Sequence, residues 1–255
     1  MLDEILTTAA ARAAEATAHI DAYRSESTAM PQARSLAGAL AGPGIAVIAE
    51  IKRRSPSRGV IDANLDPAAR ARAYVEGGAD AISVLTEPEF FDGSMEDLDR
   101  VRSVVDVPVL RKDFTLAPSQ IWEARAGGAD AVLLIVAALS QGELEELISV
   151  ANDVGVDAIV EAHASGELER AVAAGARIIG VNNRNLATFE TDLGVAEGLA
   201  GSLRDGVVTI AESGVSSPEG AARMARAGYD AILVGEALVR SLDPAGLVKS
   251  LKGRR

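Results

Sequence analysis

The sequence GGADAI at residues 77–82 decides the fold, because a similar phrase returns three more times along the chain. The repeats are GGADAV (127–132), AGARII (174–179) and AGYDAI (227–232). Each phrase follows an alanine- and arginine-rich stretch with helical periodicity and precedes an apolar run. This order is typical of a helix that ends at a glycine and leads into a strand.

Eight apolar, strand-like runs lie about 26 residues apart, so the phrase marks every second unit of the repeat. The runs begin near Ala46, Ala81, Val107, Ala131, Asp157, Arg177, Val207 and Ala231. Because these runs are continuous and do not alternate, we expect strands that are buried on both faces. Eight such βα units predict a (β/α)8 barrel. An open doubly wound sheet competes, but it would usually carry G-x-G-x-x-G after its first strand, where this chain has EIKRRSPSRG.

We expect one domain that contains an extra N-terminal helical segment. The expected boundaries are 1–255 for the domain, 1–45 for the N-terminal extension, 46–240 for the barrel core and 241–255 for a C-terminal helix or tail. Apolar residues at helical spacing predict a helix from Leu2 to about Ile20, and a second short helix is expected around 31–41. The sequence leaves open whether this extension plugs the bottom of the barrel or caps its active face.

The composition is that of a globular protein and excludes several kinds of site. Hydrophobic residues make up 48% of the chain and charged residues 24%. The chain has no cysteine, which excludes disulfides, thiolate metal ligands and a cysteine nucleophile. Only two histidines are present, His19 and His163, so we expect no histidine-rich metal site.

The charge balance argues against nucleic acid and membrane partners. A net charge of −12 does not suit a phosphate backbone. The basic cluster KRRSPSR (52–58) is consistent with a solvated loop, a nucleic-acid arm or a site for a small anion, and the acidic chain favours the last. The longest apolar stretch, AVLLIVAAL (131–139), is too short for a membrane helix. The N-terminus lacks the pattern of a signal peptide, so we expect a cytoplasmic protein.

Two of the four lysines in this arginine-rich chain, Lys52 and Lys112, end apolar runs at positions that the strand pattern turns inward. Guanidinium stays charged at any accessible pH, whereas burial can lower the pKa of a lysine enough for it to exchange a proton. The choice of lysine at these two places therefore indicates proton transfer.

Polar residues stand at seven of the eight predicted strand ends. They are Glu50 and Lys52, Thr86 and Glu87, Lys112 and Asp113, Glu161, Asn182 and Arg184, Glu212 and Ser213, and Gly235 and Glu236. Barrel enzymes carry their active sites at these ends. Because side chains two residues apart share a face, we expect one set to converge on a single mouth: Glu50, Lys52, Lys112, Glu161, Asn182, Arg184 and Glu212. A purely structural ion-pair network is the alternative.

Two further patterns describe the expected substrate. The loops after strands seven and eight, ESGVSSPEG (212–220) and VGEALV (234–239), have the glycines and the helix start of a phosphate site. All four phenylalanines follow predicted strand ends: Phe90, Phe91, Phe114 and Phe189. A substrate with a flat apolar part and a phosphate fits this arrangement.

With these motifs in view, the chain resembles the indole-3-glycerol phosphate synthases of tryptophan biosynthesis over essentially its whole length. The resemblance is carried by EIKRRSPSRG (50–59), SVLTEPEFFDGS (83–94), PVLRKDF (108–114), QIWEARAGGADAVLLIVAAL (120–139), VEAH (160–163), GVNNRNLATFE (180–190), AESGV (211–215) and LVGEALV (233–239). It implies a lyase that closes the indole ring of 1-(2-carboxyphenylamino)-1-deoxyribulose 5-phosphate, with loss of CO2 and water. It also implies that no metal or organic cofactor takes part.

The resemblance also implies roles for individual residues. Lys112 is the general acid of ring closure, Glu161 and Lys52 transfer protons in dehydration, and Glu50 pairs with Lys52. Asn182 and Glu212 orient the intermediate, and Arg184 or Lys52 holds the carboxylate. Phe90 and Phe114 sandwich the anilino ring. The remaining substrate contacts are Ser55, Ser213, Gly214, Gly235 and Glu236 (through its backbone) around the phosphate, together with Leu186 and Leu233.

Two other functions stay open at this point. One is another phosphate-binding barrel enzyme, such as phosphoribosylanthranilate isomerase, whose Amadori shift does not need two lysines and an aromatic clamp. The other is a barrel that binds a phosphorylated ligand without catalysis. We expect a monomer that binds a small phosphorylated substrate, and association with other tryptophan-pathway enzymes is an open alternative.

Overall fold

The computed structural model describes residues 2–185, 188–203 and 206–252. Eight parallel strands close into a barrel in the order β1-β8-β7-β6-β5-β4-β3-β2, with β2 paired to β1. The strands are β1 (Ala46–Ile51), β2 (Ala81–Leu85), β3 (Val109–Lys112), β4 (Ala131–Ile135), β5 (Asp157–Ala162), β6 (Ile178–Asn182), β7 (Val208–Glu212) and β8 (Ala231–Val234). The predicted (β/α)8 barrel is therefore confirmed, and the open sheet is wrong.

Helices surround the barrel and also precede its first strand. They are α1 (Leu2–Ala18), α2 (Ile20–Ala29), α3 (Leu36–Leu40), α4 (Pro67–Glu76), α5 (Pro88–Phe91), α6 (Met95–Arg102), α7 (Pro118–Ala126), α8 (Gln141–Val154), α9 (Ser165–Ala173), α10 (Gly194–Leu199), α11 (Pro218–Ala227), α12 (Glu236–Arg240) and α13 (Pro244–Leu251). Short 3-10 turns lie at Val136–Ala138 and Ala200–Ser202, and a small hairpin follows β1, with strands Arg54–Ser55 and Gly59–Val60. Among the described residues, none of the helices is long and apolar enough to cross a membrane.

The repeated phrase has a structural role at the bottom of the barrel. In three of the four repeats, its aspartate lies directly before a strand and accepts a hydrogen bond from a backbone N–H of the preceding strand. The pairs are Asp80 with Val47 (2.8 Å), Asp130 with Val109 (2.9 Å) and Asp230 with Thr209 (2.9 Å). Each carboxylate therefore fixes the register of two neighbouring strands at the end opposite the site.

The strands are buried on both faces, as the continuous apolar runs predict. One cluster fills the barrel interior with aliphatic side chains such as Ile48, Leu110 and Ile210. The other lies between the strands and the surrounding helices and includes Val47 and Val84. Because side chains alternate along a strand, the residue two positions after Ile48, which is Glu50, also faces the interior.

The N-terminal extension reaches both ends of the barrel. Arg12 of α1 binds Asp113, just beyond the C-terminal end of β3, at 2.9 Å. At the opposite end, Leu36 and Leu40 of α3 are fully buried in the interior cluster. The backbone N–H of Ala37 donates to Asp157 at the start of β5. Both alternatives that the sequence left open are therefore partly right, since α3 closes the bottom and α1 lies at the active face.

Two details of this extension differ from the prediction. The first helix is interrupted at His19, where the backbone conformation is not helical, so that a separate helix α2 continues to Ala29. The helix expected around 31–41 is only Leu36–Leu40, because Ser35 caps it by accepting a hydrogen bond from the N–H of Gly38.

Candidate active site

A cavity of about 500 Å³ opens at the C-terminal ends of the barrel strands. Its lining includes all seven polar residues that were expected to converge: Glu50, Lys52, Lys112, Glu161, Asn182, Arg184 and Glu212. Seven of the other expected substrate contacts also line it: Ser55, Phe114, Ser213, Gly214, Leu233, Gly235 and Glu236. Leu186 lies outside the described residues.

At the centre of the cavity, Lys112 lies between two buried carboxylates. Its Nζ donates hydrogen bonds to Glu161 Oε2 at 2.9 Å and to Glu212 Oε2 at 2.8 Å. The three residues come from β3, β5 and β7, which are separated by one strand each. The contact is therefore made across the interior of the barrel, so the closed fold is what brings these residues together.

The charge state of Lys112 differs from the sequence-based expectation. Burial alone would lower the pKa of Lys112, as expected, but Glu161 and Glu212 outweigh burial and raise that pKa well above its ordinary value. The expectation of a lowered lysine pKa is therefore wrong here, because two carboxylates in direct contact stabilise the ammonium. Lys112 therefore carries its full positive charge at neutral pH.

The pKa values of the two carboxyl groups beside Lys112 are shifted in opposite directions. Burial would raise the pKa of Glu161, but Lys112 and His163 outweigh burial and lower that pKa to about 2. Burial raises the pKa of Glu212 to about 7, with Glu161 adding to the shift against the pull of Lys112. A pair of carboxyl groups pushed apart in this way supplies one base and one group that keeps a proton near neutral pH.

The second lysine forms a separate pair on β1. Lys52 Nζ donates to Glu50 Oε1 at 2.6 Å, and both side chains are largely buried. Gly235, at the end of β8, faces this pair. A β-carbon at position 235 would overlap Glu50 Oε1 and lie 3.1 Å from Lys52 Nζ. A side chain at position 235 would therefore displace the ends of Glu50 and Lys52, and glycine leaves room for this pair.

The two consecutive asparagines after β6 have different roles. Asn182 lines the cavity and accepts a hydrogen bond from the backbone N–H of Arg184 at 3.0 Å. Asn183 is buried outside the cavity and donates to the backbone carbonyls of Glu212 and Ser213. It thereby holds the turn that follows β7. The structural role of Asn183 was missed because adjacent residues with the same side chain carry no sequence signal to distinguish them.

A basic and glycine-containing rim lies at one end of the cavity. Ser213 and Gly214 both have positive φ angles, 63° and 83°, so the chain turns sharply at the end of β7. Arg184 Nη1 donates to Ser57 of the hairpin loop at 3.0 Å. Arg58, from the basic cluster 52–58 that was favoured as a small-anion site, and Arg240, which was not predicted, lie beside Glu236 at 3.6 and 3.1 Å. A sharp glycine-containing turn beside arginines suits a phosphate.

Apolar side chains form the other part of the lining. The ring centroids of Phe91 and Phe114 are 6.4 Å apart. The expected partner of Phe114 was Phe90, but Phe90 is not among the residues that line the cavity. The one-turn helix α5, capped by Glu87, separates the directions of adjacent side chains by roughly 100°, so only one of the two rings faces inward. Leu2 and Ile5 of α1 complete this wall.

Two of the polar strand ends have structural roles instead. Asp113 binds Arg12, Arg111 and Thr86, which ties α1 to the ends of β2 and β3. Glu87 accepts three backbone N–H groups at the start of α5. The contacts of these two residues therefore hold the fold together, although Asp113 also borders the cavity.

Comparisons with known proteins agree on one family. The family model described as indole-3-glycerol phosphate synthase matches residues 2–251. A relative with that name from Streptomyces griseus subsp. griseus is 49% identical over 253 residues, covering 98% of this chain and 94% of its own length. One from Mycobacteroides abscessus is 50% identical over 251 residues, covering 98% of this chain and 92% of its own.

Solved structures with little sequence similarity share the fold alone. A 3-hexulose-6-phosphate synthase from Salmonella typhimurium has a TM-score of 0.67 at 15% identity, covering 81% of this chain and 96% of the other. An N-acetylmannosamine-6-phosphate 2-epimerase from Clostridium perfringens has a TM-score of 0.62 at 14% identity, covering 82% and 93%. The barrel is thus common to several chemistries, and function must be argued from the site.

Proposed function

This chain belongs to the indole-3-glycerol phosphate synthase family, and from this premise we propose how its cavity carries out the family's reaction. The reaction is the decarboxylating ring closure and dehydration of 1-(2-carboxyphenylamino)-1-deoxyribulose 5-phosphate to indole-3-glycerol phosphate in tryptophan biosynthesis. The observation that carries the proposal is the contact of Lys112 with Glu161 and Glu212 inside a cavity that has one apolar and one basic part.

The substrate lies across the cavity with its two ends in chemically different surroundings. The anilino ring binds against Phe91 and Phe114, because both rings line the apolar wall. The phosphate binds at the rim formed by the loops after β7 and β8, where Ser213, Gly214 and Gly235 line the cavity. Ser55, Leu233 and the backbone of Glu236 complete these contacts. The reacting carbonyl then lies between the two ends, close to Lys112.

Ring closure needs an acid at the ketone oxygen. The ring carbon that bears the carboxylate attacks the carbonyl carbon, and the developing alkoxide takes a proton from the ammonium of Lys112. The raised pKa of Lys112 keeps it charged before this step, and an alkoxide is basic enough to take the proton as the bond forms. Arg184 or Lys52 holds the substrate carboxylate until it leaves as CO2.

Dehydration needs a base for the ring proton and an acid for the departing hydroxyl. Glu161 is the base, because its lowered pKa leaves it ionised. Lys52 is the acid, with Glu50 at 2.6 Å holding its ammonium in place. Glu212 and Asn182 orient the intermediate from the far side of Lys112. This assignment gives each of the two lysines a proton-donating step.

The test is direct turnover of the proposed substrate. The protein is incubated with 1-(2-carboxyphenylamino)-1-deoxyribulose 5-phosphate, and indole fluorescence and released CO2 are followed together. We expect both signals in equal amounts, and an exposed-site control, Lys249→Ala, should behave as the wild type does. Binding without fluorescence at micromolar enzyme would instead indicate a non-catalytic phosphate-ligand barrel. Turnover of phosphoribosylanthranilate alone would indicate the isomerase.

We also propose that the enzyme is monomeric and acts in the cytoplasm. Light scattering on the purified protein should give the mass of a single chain. A larger species that forms only when other tryptophan-pathway enzymes are added would favour the association that the sequence left open.

A further inference from the structure

His163 follows β5 directly and lies between two carboxylates. Its Nε2 is 3.5 Å from Glu161 Oε1, and its Nδ1 is 3.4 Å from Glu167 Oε2. Glu167, in the first turn of α9, is fixed in this position because it also accepts the backbone N–H of His163 at 2.7 Å. The side chain of His163 is only 14% exposed, and it is not one of the residues that line the cavity.

The surroundings of the ring suit a doubly protonated imidazole. Both ring nitrogens are shielded from solvent, and among the described residues neither completes a hydrogen bond of ordinary geometry. A neutral imidazole has one N–H donor and one acceptor nitrogen, so one of its nitrogens would face a carboxylate with its lone pair. An imidazolium has two donors for the two carboxylates.

The ring is also part of a longer line of charges. Glu161 has one oxygen near His163 and the other bonded to Lys112, which in turn bonds Glu212. The line therefore runs Glu167, His163, Glu161, Lys112 and Glu212, with acidic and basic groups alternating. Glu161 lies between two cations, and only one of them touches the cavity.

We propose that His163 is a positioning residue, held as an imidazolium by Glu161 and Glu167, that keeps Glu161 ionised and turned towards Lys112. This inference rests on the proposed role of Glu161 as the base of dehydration. His163 does not touch the substrate and transfers no proton itself. Its effect is on the pH range in which Glu161 can accept a proton.

Carboxylates on three elements favour this state. Glu161 on β5 and Glu167 on α9 lie within 3.5 Å of the ring, and Glu212 on β7 adds a weaker electrostatic contribution. Burial would lower the pKa of His163, but these three carboxylates outweigh burial and raise that pKa. Conversely, His163 adds to Lys112 in lowering the pKa of Glu161. Removing the imidazolium should therefore raise the pKa of Glu161.

The charge state can be measured directly, because the chain has only two histidines. Proton–nitrogen NMR of the imidazoles is followed between pH 5 and 9, and His19→Gln assigns the signals. We expect His163 to carry protons on both nitrogens at neutral pH and to titrate above the ordinary histidine value of about 6.5. A single-proton tautomer at pH 6.5 would overturn the proposal.

The kinetic consequence is tested with His163→Asn, which keeps an N–H donor and removes the charge. Glu161 has a pKa of about 2 in the wild type. We expect the part of the acidic limb of the kcat profile that reports Glu161 to move up from there by about one pH unit, since one opposite charge at contact distance shifts a carboxyl pKa by that order. KM should stay within about twofold, because the ring is outside the cavity. Glu167→Gln should shift the limb in the same direction but less, and His19→Gln should not shift it.

The outcomes separate this inference from the proposed function. If Glu161→Gln is inactive but His163→Asn has an unchanged pH profile, Glu161 is the base and the positioning role of His163 is wrong. If Glu161→Gln keeps normal activity, the proposed base is wrong, and the catalytic part of this inference falls with it. A loss of kcat in His163→Asn that is equal at every pH would indicate a structural role and would also overturn the inference.

Discussion

Gly180 of β6 faces Glu212 of β7 so closely that a β-carbon at position 180 would overlap the carboxylate oxygen Oε1 and lie 3.2 Å from Cδ of the same side chain. On the other side, the same β-carbon would be in tight contact with β5, at 3.2 Å from Cγ2 of Ile159. Oε1 is itself buried, and no hydrogen-bond partner for it lies within the described residues. The position of Glu212 beside Lys112 therefore depends on the absence of a side chain at 180.

We predict that Gly180→Ala lowers kcat by about tenfold or more, because Glu212 must rotate away and misplace Lys112. Overpacking of this kind also destabilises a core by about 1–3 kcal/mol. Steady-state kinetics and urea unfolding measure the two effects. Gly198→Ala in α10 is the matched control, since a β-carbon there meets nothing within 4 Å. Wild-type kcat in Gly180→Ala would show that Glu212 does not need this position.

Phe91, and not Phe90, should control binding of the anilino ring. Phe91→Ala removes one side of the apolar wall, so we expect KM to rise by about tenfold with a smaller change in kcat. Phe90→Ala is a control from the same helical turn, and it should change KM by less than about twofold. Equal effects of the two substitutions would contradict the position assigned to Phe91.

Arg12 should hold α1 against the active face. Arg12→Ala leaves Asp113 bonded to Arg111 and Thr86 but releases α1, so we expect KM to rise and stability to fall by about 1–3 kcal/mol. Hydrogen exchange within α1 should become faster, because Leu2 and Ile5 lose their fixed place in the cavity wall. Arg72→Ala, on the exposed side of α4, is the control. Unchanged exchange in α1 would contradict the anchoring role.

The free energy of unfolding should respond to pH through Glu212. Burial raises the pKa of Glu212 to about 7 from 4.5, so its ionisation costs stability in the folded state. This cost begins as pH rises above the unfolded value and is complete above the folded one.

We therefore predict that Glu212→Gln gains stability relative to the wild type between pH 5 and pH 8, by an amount of the order of 1 kcal/mol. Urea unfolding at both pH values measures the change. Glu169→Gln, at an exposed position of α9, should show no such trend. A stability difference that shrinks with rising pH would mean that Lys112 needs the ionised Glu212 more than burial disfavours it.

Most of the barrel and much of the cavity lining follow from periodicity. The strand ends, and with them Glu50, Lys112, Glu161 and Glu212, are set by apolar runs whose spacing is visible in the sequence. Alternation along a strand then predicts which side chains face inward. Once the barrel is predicted, the convergence of Lys112 with Glu161 and Glu212 follows, because the C-terminal ends of all the strands meet at one face of the barrel.

The sequence could not predict features that depend on contacts between distant segments or on which side of a helix faces the cavity. The choice of Phe91 over Phe90 follows from the first turn of α5. The raised pKa of Lys112 follows from its distances to two carboxylates, which a strand pattern does not give. His163 entered the sequence analysis only in the argument against a histidine-rich metal site and within the motif VEAH (160–163), although its spacing of two residues from Glu161 was a signal that both share a face. The helical periodicity of residues 2 to 18 predicts a helix, but it does not indicate at which end of the barrel that helix lies.

The proposed ring closure depends above all on the proton of Lys112. The decisive measurement is single-turnover ring closure by wild type, Lys112→Ala and Lys112→Arg, alongside the Kd of a reduced substrate analogue that cannot cyclise. We predict that both variants lose at least about a thousandfold in rate, since general acid catalysis contributes up to about 10⁴, while Lys112→Arg still binds the analogue. Near-normal ring closure in Lys112→Ala, or recovery of most activity in Lys112→Arg, would contradict the account.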